Sequence, residues 1–206
     1  MSRNPQFFTR ARSSAISAVL VATLAAPLLG GCFAGAVAGI TAGSLAAADR
    51  RTVGTQVEDR TLQVKAESAI RESFGESVHV NATVYNRQIL LTGEAPDETT
   101  IRNVEARVAT LPNIRLIVND IQVGFKSSLS ARSNDAFITG KVKASLLDVQ
   151  DIFANSFKVT TEAGVVYLMG LVTEREANRA ASIAAGVPGV VKVVKVLELI
   201  SEAELS

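Results

Sequence analysis

The residues that could do chemistry are few. The chain has one cysteine, Cys32, and one histidine, His79, among 206 residues. They lie in unrelated stretches, so no His/Cys metal site is expected, and no metal ligand set at all. A Ser–His–acid triad needs a histidine held between a nucleophile and a carboxylate. His79 stands out of phase with Val78, Val80 and Val84 in an alternating run, which places it on the opposite, solvated face. The string Gly170-Leu-Val-Thr-Glu-Arg-Glu176 has glycine before a helix start but no phosphate-loop spacing. Glu174 and Glu176 fit the acidic first turn of a helix, where carboxylates complement the macrodipole. No catalytic residue and no cofactor are expected. With a net charge of +1, no global field would recruit nucleic acid.

What remains is the chemistry of a thiol at the end of an apolar run. Arg3, Arg10 and Arg12 precede a chargeless stretch beginning at Ser13, with "AISAVLVATLAAPLLG" at its centre. A basic start followed by an apolar segment and small residues is a secretory signal pattern. Leu29-Gly30-Gly31-Cys32 resembles the lipobox of bacterial lipoproteins. That resemblance implies cleavage before Cys32 and acylation of its thiol, giving residues 1–31 as signal peptide. Each buried acyl CH₂ contributes about 0.8 kcal/mol, so several chains anchor stably. The next residue is Phe33 rather than Asp. By the sorting rule of such lipoproteins, this implies the outer membrane of a Gram-negative cell, facing the periplasm. Residues 32–57 read as an Ala/Gly-rich tether, and Gly35, Gly39 and Gly43 keep a four-residue spacing. About 17 weakly apolar residues barely span a bilayer, which favours a tether at the membrane surface over an inserted helix.

The remaining chain repeats itself. Leu62, Ala66 and Ile70 align with Ile138, Val142 and Leu146; Gly93 aligns with Gly170; Pro112 aligns with Pro188. The copies span 58–125 and 134–200, joined by a polar linker, 126–133, and followed by a frayed acidic tail, 201–206. Each reads as helix, strand, strand, helix, strand. The first helices carry the stripes Leu62, Ala66, Ala69, Ile70 and Ile138, Val142, Leu146, Val149. The second strands, "QILLTG" and "VVYLMG", end at Gly93 and Gly170. The second helices carry Ile101, Val104, Val108, Leu111 in copy 1 and a capping box, Thr173 with Glu176, in copy 2. The fold class is α+β, two small mixed three-stranded sheets each packed by two helices.

This unit resembles the BON domain, and two of them behind a lipobox resemble the dual-BON-domain outer-membrane lipoproteins. The stretches "RTVGTQVEDRTLQVK", "SNDAFITGKVKASLL" and "VYLMGLVTEREA" carry the resemblance. It implies a non-enzymatic protein that supports envelope integrity, binds anionic phospholipid such as phosphatidylglycerol through its second domain, and is recruited to the division site.

The residues offer their own pointer to a binding surface. Copy 1 has 7 basic and 10 acidic residues, copy 2 has 7 of each, so copy 2 is friendlier to an anionic surface. Its first helix carries Phe137 at the rim of the core stripe, where copy 1 has Thr61. Lys141, Lys143, Ala144 and Leu147 lie on the following turns. A ring entering the headgroup region beside lysines that meet phosphates suits an interfacial contact. The same features would serve an adapter docking on an envelope protein, with Phe137 as its anchor. A third possibility is that Phe137 widens the core or packs between the copies.

Overall fold

The computed structural model describes residues 49–205. The signal segment, Cys32 and most of the tether lie outside them. Among the described residues no helix is long and apolar enough to cross a membrane.

The first copy runs α1 (Val53–Phe74), β1 (His79–Tyr85), β2 (Gln88–Ala95), α2 (Glu98–Ala109) and β3 (Leu116–Val123). The second runs α3 (Leu129–Leu147), β4 (Phe157–Glu162), β5 (Val165–Val172), α4 (Glu174–Ala185) and β6 (Lys192–Leu199). Each sheet has its second strand in the centre, antiparallel to the first and parallel to the third. The mixed pairing follows from the connections: a two-residue turn joins antiparallel strands, while a helical crossover returns the chain parallel. Each helix pair covers one sheet face. The expected stripes line these cores: Leu62, Ala66 and Ile70 meet Val84, Ile89 and Val104, and Ile138, Val142 and Leu146 meet Val166, Leu168 and Ala180. The Thr173–Glu176 capping box is formed in full.

The two sheets pack against each other through the faces their helices leave bare. Tyr85, Leu90, Tyr167, Met169 and Val196 form a third apolar cluster. The alternative that Phe137 widens the core or packs between the copies is not what is seen: the copies meet by a sheet-on-sheet contact that Phe137 does not join. That contact accounts for the consecutive apolar residues 89–91 of β2 and 165–169 of β5. A strand buried on both faces has no polar side to alternate with. Polar contacts stitch the seam: the Tyr85 hydroxyl donates to Ser156 O (3.2 Å), Tyr167 to Asp120 (2.9 Å), and Lys158 to Gln63 and to Val84 O (3.0 Å each).

Several boundaries differ from expectation. Residues 129–133 of the expected linker are the first turn and more of α3, because the Ser128 hydroxyl accepts from Ala131 N and caps that helix. Residues 53–57 of the expected tether are helical in α1, and the chain just before them is fixed. Arg50 donates to both carboxylate oxygens of Glu176, each at 2.8 Å, and to Leu171 O. Arg51 binds Asp49 and Asp59 and lies 3.8 Å from the centroid of the Tyr85 ring. Glu176 is thus a buried ion-pair partner, 1% exposed, as well as an N-terminal helix acid. Within the expected tail, Glu202–Leu205 form a short 3₁₀ turn, and Ser201 N and Oγ donate to Glu204. Glu198 sits in β6 and pairs with Arg115.

Gly93 and Gly170 do not end their strands; each strand runs two residues further. A Cβ at Gly93 would lie 2.0 Å from His79 O, and one at Gly170 would lie 2.5 Å from Ser156 O. The glycines are needed because a neighbouring carbonyl occupies the space of a side chain.

Candidate lipid-facing surface

Helix α3 turns its core stripe, Ile138, Val142 and Leu146, toward the sheet. Successive residues advance by 100°, so Ala136, Phe137, Gly140, Lys143, Ala144 and Leu147 share the opposite third of its circumference. All six are exposed. Phe137 and Leu147 are each 65% exposed, and Leu129 on the first turn extends the same face. Phe137 is thus not at the rim of the core but fully on the outward side.

The lysines differ in what they can do. Lys141 Nζ lies 4.7 Å from the centroid of the Phe137 ring and donates to Pro188 O at 2.8 Å. That hydrogen bond ties α3 to the turn after α4, so Lys141 orients the ring and has one donor committed to the protein. Lys143 is exposed and stands over a cleft of about 240 Å³ walled by Leu146, Leu147, Ala154, Phe157 and Val159. Ala144 opens onto a shallow groove of about 490 Å³ between α3 and α4, with Arg179 and Ile183 on its far side. The five expected residues do share one helix, but Lys141 lies at the flank of the face the other four make.

The matching helix of the first copy is built differently. Where α3 has Phe137, Lys143, Ala144 and Leu147, α1 has Thr61, Glu67, Ser68 and Arg71. α1 exposes Val53, Val57 and Val64, smaller side chains interleaved with Arg60 and Glu67. Only the second copy combines large apolar groups with a free lysine on this face.

Phe153, in the loop after α3, is also exposed, with the Arg50 guanidinium 5.5 Å from its ring centroid. Sequence reasoning passed over Phe153 and Leu129. Phe153 lies in no periodic run. Leu129 fell inside the expected linker, although Ser128 before it is a good helix N-cap.

His79 departs from its expected solvated position. Its side chain is 18% exposed and faces Glu162 of the second copy. The Glu162 carboxyl is shifted above the usual carboxylate range, first by burial. A hydrogen bond from Asn81 opposes the shift, and the charge of Glu94 adds to it.

The BON domain family matches residues 58–124 and 134–201. An outer membrane lipoprotein, DolP, of Haemophilus influenzae is 35% identical over 154 residues, covering 74% of this chain and 80% of the relative. A 21 kDa hemolysin of Actinobacillus pleuropneumoniae is 32% identical over 154 residues, covering 74% and 79%. Among solved structures, CdsD, a structural protein of the type III secretion system of Chlamydia trachomatis, covers 73% of this chain and 95% of its own, at 13% identity and a TM-score of 0.29. With two BON domains in series and this identity over most of its length, the chain belongs to the family of dual-BON-domain outer-membrane lipoproteins.

Proposed function

We propose that this lipoprotein, anchored through acylated Cys32 and facing the periplasm, reads anionic phospholipid with the outward face of α3 and so supports the envelope at the membrane it is tied to, the division site included. The observation that carries the reading is the pairing of Phe137 and Leu147, each 65% exposed, on one helix face with Lys143 between them. Two large side chains held in water gain by entering the headgroup boundary, and each lysine near an anionic surface contributes about 1 kcal/mol. This is weak binding in isolation. Tethering makes it sufficient, because the lipid anchor holds the local concentration of membrane high.

The test uses residues 49–206, which hold all three apolar clusters and lack the lipid. They are mixed with vesicles with and without phosphatidylglycerol, at low and moderate salt. Binding is expected only with the anionic lipid, weakening as salt rises, and falling about tenfold in Phe137→Ala for a loss of about 1.4 kcal/mol of buried ring. Lys143→Glu, which replaces an attraction of about 1 kcal/mol by a repulsion of similar size, should weaken it about thirtyfold. Lys141→Glu should act less directly, through loss of the Pro188 contact. No binding at any composition would sink direct lipid recognition and turn the search to a protein partner on the same face.

A further inference from the structure

The two domains bring together three metal-ligating side chains that neither contains alone. His79, at the start of β1, is paired across the sheet with Glu94 on β2. Glu162, the last residue of β4, approaches from the second domain. One ligand atom from each of the three lies within 4.8 Å of the other two. None of the three is fully exposed; the Glu162 side chain is 11% exposed.

Two further observations point to a cation. His79 Nε2 is buried and has no hydrogen-bond partner. It stands 4.0 Å from Glu162 Oε1, too far for a hydrogen bond. That gap is wider than the edge of about 3.3 Å between donors on a tetrahedral zinc, so the two groups stand apart without a proton between them and draw together only on an ion. The carboxylates are also held from behind. Asn81 Nδ2 donates to Glu162 Oε2 at 2.9 Å, and Ser127 N donates to Glu94 Oε2 at 3.2 Å. Outer hydrogen bonds of this kind fix ligand orientation and leave the other oxygen for the metal. Beside the cluster, an open cavity of about 500 Å³, lined by His79, Asn81, Arg132, Asp135, Thr139 and Glu162, gives a path for the ion and room for a water as fourth ligand.

We propose that His79, Glu94 and Glu162 form a binding site for a divalent transition cation of the zinc class, one nitrogen and two carboxylate oxygens, that clasps the first domain to the second. One imidazole with two carboxylates suits zinc and its neighbours better than calcium, which takes six to eight oxygens. Closing the triangle to a tetrahedral edge of about 3.3 Å draws in ligand atoms now up to 4.8 Å apart, by turning each carboxylate about the oxygen that its outer hydrogen bond holds.

The test uses the full chain, untagged, purified in a non-ionic detergent and freed of metal by chelation. Zinc chloride is titrated by calorimetry, and thermal unfolding is followed with and without zinc. One zinc per chain and a higher unfolding temperature are expected. In His79→Gln and Glu162→Gln, affinity should fall at least tenfold, while metal-free far-ultraviolet dichroism stays that of the parent. Absence of stoichiometric binding by the parent overturns the site. So does binding of undiminished affinity in either variant, which would place the ion elsewhere.

Discussion

Asp59 and Asp135, 76 residues apart, perform the same act in the two domains. Each is a buried carboxylate on the first helix that accepts two backbone N–H groups from the tip of the hairpin: Asn86 and Arg87 for Asp59 (2.6 and 2.8 Å), Ala163 and Gly164 for Asp135 (3.0 and 2.9 Å). Both central residues of each turn have positive φ, the geometry of a type I′ hairpin. Only one of the four is glycine, so the turn needs outside support, and the aspartate supplies it.

Asp59→Ala and Asp135→Ala should therefore each destabilise the fold by about 2–4 kcal/mol, the cost of stranding turn amides that were bound to a charge. Asp59→Ala should be the worse, because it also strips Arg51 of a partner. Urea unfolding of the two variants measures the order; equal losses would remove Arg51 from the account.

The Arg50–Glu176 pair makes acid stability local. Burial raises the carboxyl, but hydrogen bonds from Arg50 and from Thr173 N, with the charge of Arg50, hold it at about 2 against an ordinary 4.5. A lowered folded-state value means the contribution is complete above about pH 4.5 and fades as the pH falls through 2. Glu176→Gln should show a flatter decline of stability between pH 5 and 2, to be read from denaturant midpoints across that window.

Gly93→Ala should cost more than Gly170→Ala. Gly93 has φ +116° and a carbonyl 2.0 Å from the added methyl; Gly170 has a clash at 2.5 Å without the positive φ. Losses of about 3 kcal/mol or more and about 1–3 kcal/mol are expected. Chemical denaturation of both variants checks the ranking, and a tolerated Gly93→Ala would contradict the close strand approach.

Both tyrosines of the chain serve the seam, and both resist ionisation. Burial pushes Tyr85 and Tyr167 up, and the hydrogen bond to Asp120 pushes Tyr167 further. A raised folded-state value gives stability that is complete below about pH 10 and lost as the pH rises beyond it. Ultraviolet titration should show no phenolate until the chain unfolds in alkali. Tyr167→Phe should cost about 1 kcal/mol by leaving Asp120 Oδ2 without its donor, while Oδ1 keeps the hydrogen bond from Gln122.

The element order and both helix-side cores were legible because apolar spacing and the 76-residue repeat are properties of the chain itself. Ile138, Val142 and Leu146 could be placed by counting. The position of Phe137 could not. One step of 100° from Ile138 is compatible with rim or solvent, and only the wrap of α3 on its sheet decides. The Asp59–Asp135 device was hidden for another reason. A charged residue beside a core stripe reads as exposed until the hairpin that needs it is in place. His79 shows the same limit across domains. Its phase in β1 correctly turned it away from the core of its own copy, but that face is where the second domain brings Glu162. The sheet stacking left a sign in the consecutive apolar residues 89–91 of β2 and 165–169 of β5, where a half-exposed sheet would alternate.

Arg50 and Arg51 are neighbours in the chain, yet one grips the second domain and the other the first. Any pull entering through the preceding residues is therefore divided at that point between two bodies. The load meets a charged clamp on each domain, Glu176 on α4 and Asp59 on α1, before it reaches the body of α1. The pair acts as a strain relief, of the kind that keeps a cable from being torn out of its socket.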